Sequence, residues 1–238
     1  MPDLKIIGKF TCFYCKDNSN AAISWLLIVK YKYMLFQFDT SDEYILEDEC
    51  VLLRPLNADD CMNLLVFSIN EPEIWKFSLV QAGGEENLVN YINIALKARA
   101  AGREYPFIVF DKRTQEYAGS TRFYDIQLTH NSLQLGFTWY GKKFQGTGLN
   151  KHCKLLLLQF AFEKMGMERV EFRADNNNAR SIAAMKSIGC VEEGVLRSHM
   201  PKHNSEERRD SIVLSILRNE WENGVKEKLI GQIQAYRK

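Results

Sequence analysis

Gly146 and Gly148, one residue apart, stand between a strand-forming run and a strongly apolar helical run. That junction constrains the chain more than any other part of it. The run before it, Leu133 to Tyr140, is rich in strand formers. The run after it, Lys154 to Lys164, carries Leu155 to Leu158, Phe160, Ala161 and Phe162. It is apolar over most of its circumference, which predicts a helix buried against a sheet. A glycine turn that opens a helix presents backbone N–H groups to an anion, and phosphate is the usual occupant. A phosphorylated cofactor is the first expectation.

The other elements line up around this junction. Cys50 to Arg54 reads as a strand stopped by Pro55, and Asn57 as the N-cap of a helix to about Phe67. Glu85 to Ala100 predicts a second helix. Tyr105 to Phe110 and Tyr117 to Tyr124 read as strands joined by the polar turn Asp111 to Gln115. Ser132 to Tyr140 is the next strand. Gly166 stops the helix behind the loop. Glu168 to Arg173 then reads as a strand, and Asn176-Asn177-Asn178 caps a helix that ends at Gly189. Val191 to Leu196 and Arg209 to Arg218 read as strands, and Trp221 to Tyr236 as a polar closing helix. Strands alternating with helices in the second half predict parallel pairing there, and the hairpin around Asp111 predicts antiparallel pairing before it. The expected fold is α/β with a mixed sheet.

A chain of 238 residues suits one domain, with or without an appendage. Residues 1–45 are aromatic and apolar without clear periodicity. They read as an N-terminal extension, either upstream of a start at Met34 or a docking segment, ahead of a domain over 46–238 that includes the closing helix. The apolar run from Ala21 to Val29 is cut below spanning length by Lys30 and Lys32, so no membrane span is expected. No small-residue cleavage site follows it, which argues against a signal peptide. A formal net charge of +1 provides no global field for nucleic acid or an anionic membrane. Cys12, Cys15, Cys50, Cys61, Cys153 and Cys190 are scattered like intracellular thiols, so a cytoplasmic location is expected. Cys12 and Cys15 form a lone CxxC with no second pair, and His130, His152, His199 and His203 show no metal spacing, so no metal is expected. Cys153 and Cys190 sit in apolar contexts that suit core packing better than an acyl intermediate.

Four segments in order resemble the GNAT-superfamily N-acetyltransferases, in the branch that modifies the alanine or serine N-termini of ribosomal proteins. They are Ala118-Gly119-Ser120-Thr121-Arg122-Phe123-Tyr124; Leu135-Gly136-Phe137 through Gln145-Gly146-Thr147-Gly148; Asn178-Ala179-Arg180-Ser181 through Ile188-Gly189-Cys190; and Glu193-Gly194-Val195-Leu196-Arg197, with Arg209-Asp210 and Glu220-Trp221 behind it. The second is similar to the superfamily's Gln/Arg-x-x-Gly-x-Gly/Ala loop. The resemblance runs from about residue 46 to the C-terminus. Two departures stand out: Asn150 where the loop has Gly or Ala, and Gln134 where many relatives carry a glutamate.

The resemblance implies a sheet splayed between the Phe137 strand and the Glu168 strand, and transfer of acetyl from acetyl-CoA to an amine. Backbone groups of Gln145, Gly146, Thr147, Gly148, Leu149 and Asn150 would hold the CoA diphosphate. The pantetheine arm would pair with the strand edge at Phe137, Thr138 and Trp139, where a backbone N–H also stabilises the oxyanion. Asn178 would bond the arm, and Ser181, one turn later, would bind there and protonate the leaving thiolate. Gln134 occupies the usual base position but cannot usefully take a proton, which leaves that task to water or another residue. Trp75 and Phe77 match a segment that lines acceptor pockets, and both equally suit the core. Lys142, Lys143, Lys151 and Lys154 could steer the anionic cofactor, and each also reads as an ordinary surface lysine.

A site without a strong base favours an acceptor that is already neutral. A lysine amine is neutral about once in 2,500 molecules at pH 7, a penalty of roughly 4.6 kcal/mol, against about 1 kcal/mol for an α-amine. The expected acceptor is a protein N-terminus or a small low-pKa amine, met directly in a ternary complex by a monomer or homodimer. The missing glutamate also permits a non-catalytic acyl-CoA-binding protein. A nucleotide-binding loop is disfavoured because no Gly-Lys-Ser/Thr ending follows the glycines.

Overall fold

The computed structural model describes residues 36–203 and 206–235. The expectations for Cys12, Cys15, Ala21 to Val29, Met34 and Tyr236 lie outside these residues. Eight strands form one sheet: β1 (Leu46–Glu47), β2 (Val51–Pro55), β3 (Tyr105–Asp111), β4 (Glu116–Gln127), β5 (Ser132–Tyr140), β6 (Arg169–Asp175), β7 (Val191–Pro201) and β8 (Arg208–Leu217). Their spatial order is β1-β2-β3-β4-β5-β6-β8-β7. The helices are α1 (Asp60–Asn70), α2 (Glu85–Ala100), α3 (Leu149–Gln159), α4 (Ala179–Ser187) and α5 (Lys226–Ala235).

The sheet is mixed, as expected, but only β5 and β6 pair in parallel. β8 inserts antiparallel between β6 and β7, because β7 and β8 form a long hairpin. The expected parallel pairing in the second half is therefore confined to one pair. The closing helix is also interrupted. Asn223 and Gly224 leave helical geometry, with Gly224 at φ +138, so the turn from Trp221 kinks before α5.

Local chemistry accounts for the element ends that frame the site. Asn57 and Asp60 cap each other: the Asp60 N–H donates to Asn57 Oδ1 and the Asn57 N–H to Asp60 Oδ2. Arg54 holds the same buried carboxylate through two bonds of 2.8 and 2.7 Å, fixing α1 onto β2. α3 buries Leu149, Cys153, Leu156, Leu157 and Leu158 against the sheet, each leucine worth about 1.5–3 kcal/mol. A π turn, Phe160–Lys164, extends it and buries Phe160 and Phe162 as well. Gly166 ends this run at φ +75.

The described part of the expected extension packs onto the domain. The Phe38 ring stacks on Tyr44 at 5.3 Å, and Tyr44 lies 5.0 Å from Phe160. The Tyr44 N–H donates to the Tyr105 hydroxyl at 2.8 Å. Among the described residues no helix is long and apolar enough to cross a membrane.

Candidate active site

The loop between β5 and α3 has the geometry its glycines suggest. Gly146 (φ +76) and Gly148 (φ +86) both lie in the left-handed region, where a side chain costs about 1–2 kcal/mol. A Cβ built on Gly146 would meet nothing within 4 Å, so this backbone faces open space. Gly148 is the N-cap of α3, and no side chain caps that helix. The N-terminal N–H groups of a helix need a partner and carry the positive end of its dipole. The loop is braced from both sides. The Gln145 amide donates to the Tyr140 carbonyl at 2.8 Å and accepts from Arg180 of α4, while Arg113 donates to the Thr147 carbonyl at 3.1 Å.

The second feature is a split in the sheet. β5 and β6 pair only over Ser132–Arg169, Leu133–Val170 and Gln134–Glu171. Beyond them the strands diverge and open a cleft of about 400 Å³. On its other side β5 carries a bulge, because Ser120 pairs with Trp139 and Arg122 with Gly136. Phe137 and Thr138 together face Thr121, and Phe137 sits at φ +48. An extra residue of this kind leaves backbone groups unpaired in the ladder. The strained residue is clamped from below. The Arg122 guanidinium, 1% exposed, lies 4.1 Å from the Phe137 ring centre and bonds Glu104 at 2.7 Å.

Most of the residues singled out in the sequence converge on this cleft. Phe137, Thr138, Trp139, Gln145, Gly146, Gly148, Asn150, Asn178, Ser181, Trp75 and Phe77 all line it. Asn178 caps α4, accepting the Ser181 N–H at 3.1 Å. Trp75 is both core and lining: it is buried against Trp139 at 4.8 Å. Three residues do not line the cleft with their side chains. The Thr147 hydroxyl donates to the Phe144 carbonyl, and Leu149 is buried in the core. Gln134 sits at the point where the strands part, its amide donating to Asp125 at 2.8 Å.

Two lysines of the basic group behave as surface residues. Lys142 and Lys143 pair with Glu73 and Glu116. Lys154 does not: it is 5% exposed and lines the cleft. Its Nζ donates to Thr138 Oγ1 at 2.8 Å and lies 3.5 Å from Thr121 Oγ1, and the two hydroxyls are 2.7 Å apart. Burial pushes its pKa down to about 8, with only the Cys153 and Cys190 thiols opposing the shift. Both thiols are themselves pushed up to about 12 by burial, and neither lines the cleft. The sequence signal for Lys154 is its place in an otherwise leucine-lined turn. His152 is packed rather than solvated, paired with Asp48. Asp48, Glu49, Cys50 and His152 come within 4.8 Å of one another, but Asp48 already accepts the Cys50 and Val51 N–H groups.

Comparison with known proteins matches this arrangement to one family. Residues 51–191, more than half of the chain, match the model described as "Acetyltransferase (GNAT) domain". The "Putative ribosomal N-acetyltransferase YdaF" of Bacillus subtilis (strain 168) is 28% identical over 104 residues, covering 44% of this chain and 55% of its own length. The "Uncharacterized N-acetyltransferase p20" of Bacillus licheniformis is 23% identical over 155 residues, 63% of this chain and 84% of its own. Among solved structures, an acetyltransferase of T. thermophilus is 32% identical with a TM-score of 0.71, over 79% of this chain and 96% of its own. RimJ of Mycobacterium smegmatis, solved in complex with CoA-disulfide, shares the fold with a TM-score of 0.64 at 18% identity, over 80% of this chain and 93% of its own. A split mixed sheet, a glycine loop at an uncapped helix and this match place the chain in the GNAT acetyltransferase family, as an N-acetyltransferase.

Proposed function

We propose that the chain moves an acetyl group from acetyl-CoA directly to a neutral primary amine, favouring an α-amine or a small amine of low pKa. The observation that carries this reading is the single cleft that joins the uncapped α3 N-terminus to the bulged edge of β5. The backbone of Gln145 to Asn150 holds the diphosphate, and the Phe137–Trp139 edge with Asn178 holds the pantetheine arm. Acetyl-CoA supplies an activated thioester. A backbone N–H freed by the bulge stabilises the charge that develops on its carbonyl oxygen.

Proton traffic falls to side chains that line the cleft. The attacking amine gives its proton to Thr138 Oγ1, whose own proton passes to neutral Lys154 Nζ along the 2.8 Å bond. Ser181 protonates the thiolate as the C–S bond breaks and regains its proton from solvent. Gln134, with its amide engaged by Asp125, orders the base of the split rather than taking a proton. Direct transfer is supported by the absence of Cys153 and Cys190 from the cleft lining. The name of YdaF is in keeping with a protein N-terminus as acceptor.

Thiol release with saturating acetyl-CoA tests the reading. A peptide with a free N-terminus is expected to react faster than an N-blocked peptide with one lysine. The reverse order overturns the acceptor preference. Binding of acetyl-CoA without turnover on any amine leaves a non-catalytic acyl-CoA-binding protein.

A further inference from the structure

Arg209 lies at the end of the cleft away from the glycine loop, and the acetyl-transfer reading gives it no task. It is 8% exposed, yet its side chain borders both the cleft and an adjoining cavity of about 240 Å³. Its partners are neutral. Nε donates to Ser211 Oγ at 2.9 Å, and one terminal nitrogen reaches the Phe77 carbonyl at a long 3.4 Å. Among the described residues it forms no ion pair, unlike Arg54, Arg113, Arg122, Arg169, Arg173 and Arg218. A guanidinium has five donors in a planar fork matched to a carboxylate. Burying one without an anion is unfavourable, and burial lowers its proton affinity here.

Its neighbours increase the positive character of this wall. Arg173 lines the same cleft, and Arg173 and Arg209 both act on the Tyr124 hydroxyl and on His199. Arg173 is tied by Nε to Glu171, which Arg169 also engages. Asp175 is the opposing charge. It lines both cavities and attracts Arg209, but its Oδ1 accepts the Asn177 N–H, and among the described residues it makes no ion pair within 4 Å. Tyr124 connects this wall to the reaction centre. Its ring lies 5.1 Å from Phe137 at the bulge, and a Cβ on Gly136 would come within 2.9 Å of it.

We propose that the acceptor carries a carboxylate close to its amine, and that Arg209, with Arg173 and Tyr124 beside it, binds that carboxylate. The inference rests on the acetyl-transfer reading and narrows its acceptor. A free amino acid offers such a carboxylate, as does a peptide with an acidic residue next to its N-terminus. A carboxylate bound by a desolvated guanidinium is expected to be favoured at least about tenfold over its neutral counterpart.

The test measures kcat/KM by thiol release, corrected for the fraction of neutral amine, for an amino acid, its carboxamide, and tripeptides with Glu or Gln second. The amino acid beating its amide, or the Glu peptide beating the Gln peptide, by about tenfold supports the proposal and distinguishes the two sources. In Arg209→Met that ratio falls toward one, and in Arg209→Lys part of it returns. Ratios near one in the wild type, or a ratio unchanged in Arg209→Met, overturn it. A second measurement needs no turnover. Calorimetry with CoA present compares the N-acetyl amino acid with its amide, and tighter binding of the anion by about tenfold, lost in Arg209→Met, supports the same site. Equal binding of the two overturns the carboxylate site while leaving acetyl transfer standing, whereas failure of CoA itself to bind overturns both.

Discussion

Lys154 couples the chemistry of the cleft to pH. Its amine reaches the bulge directly, at 2.8 Å from Thr138, and burial brings its pKa to about 8. If neutral Lys154 takes the proton, two deprotonations limit kcat/KM on the acid side, one in the acceptor and one in the enzyme. The logarithm of kcat/KM should rise with a slope near two per pH unit below about pH 7. In Lys154→Met the slope should fall to one, with activity at pH 7.5 down by about 10²-fold or more. An unchanged slope in the variant removes the lysine from the proton path. The same shift has a stability consequence. The unfolded chain holds the proton up to about 10.4 and the folded chain only to about 8, so unfolded protein binds more protons between those values. Stability of the wild type relative to Lys154→Met should therefore rise by about 3 kcal/mol from pH 8 to 10.4, measured by urea unfolding of both proteins.

At the scale of elements, the loop and the bulge do different work. The loop needs a backbone that only glycine adopts without strain. Gly146→Ala, at φ +76, should cost about 1–2 kcal/mol of stability. It should also weaken CoA binding, read by titration calorimetry, by about tenfold or more. A variant that binds CoA as tightly as the wild type removes the loop from the diphosphate site. Elements of this kind are legible in sequence because their causes are local. Two glycines, the Asn178 cap and the stop at Gly166 act within a few residues of themselves. The bulge at Phe137 is not legible in that way, since it depends on Thr121 in another strand and on Arg122 beneath the ring. Lys154 and Arg209 escaped for a related reason. A single letter does not say whether a cation is solvated, and burial is decided by strands and helices far along the chain. The kink at Gly224 marks where a polar helical pattern contained a residue free to leave it.

At the scale of the whole molecule, the boundary of the domain extends before residue 46. Phe38 and Tyr44 are buried among Tyr105 and Phe160, and Arg99 donates to the Thr40 and Asp42 carbonyls. Deleting everything before Leu46 should lower stability by at least about 3 kcal/mol, as should Tyr44→Ala, observed as a lower urea midpoint. Equal midpoints would make the segment a passenger. Periodicity did not mark this stretch because a chain that packs as aromatic plugs has no repeat to detect. Strand order was half legible for a similar reason. Local spacing suggests which neighbours pair, but it does not show that a hairpin slides β8 between β6 and β7.

Three residue pairs alone stitch five strands to the other three. The molecule therefore has a seam down its middle, and a guest amide chain lying in it would supply the missing rungs. Acetyl-CoA is then mortar as well as reagent. Because a ligand that binds only the folded form stabilises it by mass action, the lifetime of this protein in a cell would follow the local supply of activated acetyl groups, so that starvation would thin out the enzyme along with its fuel.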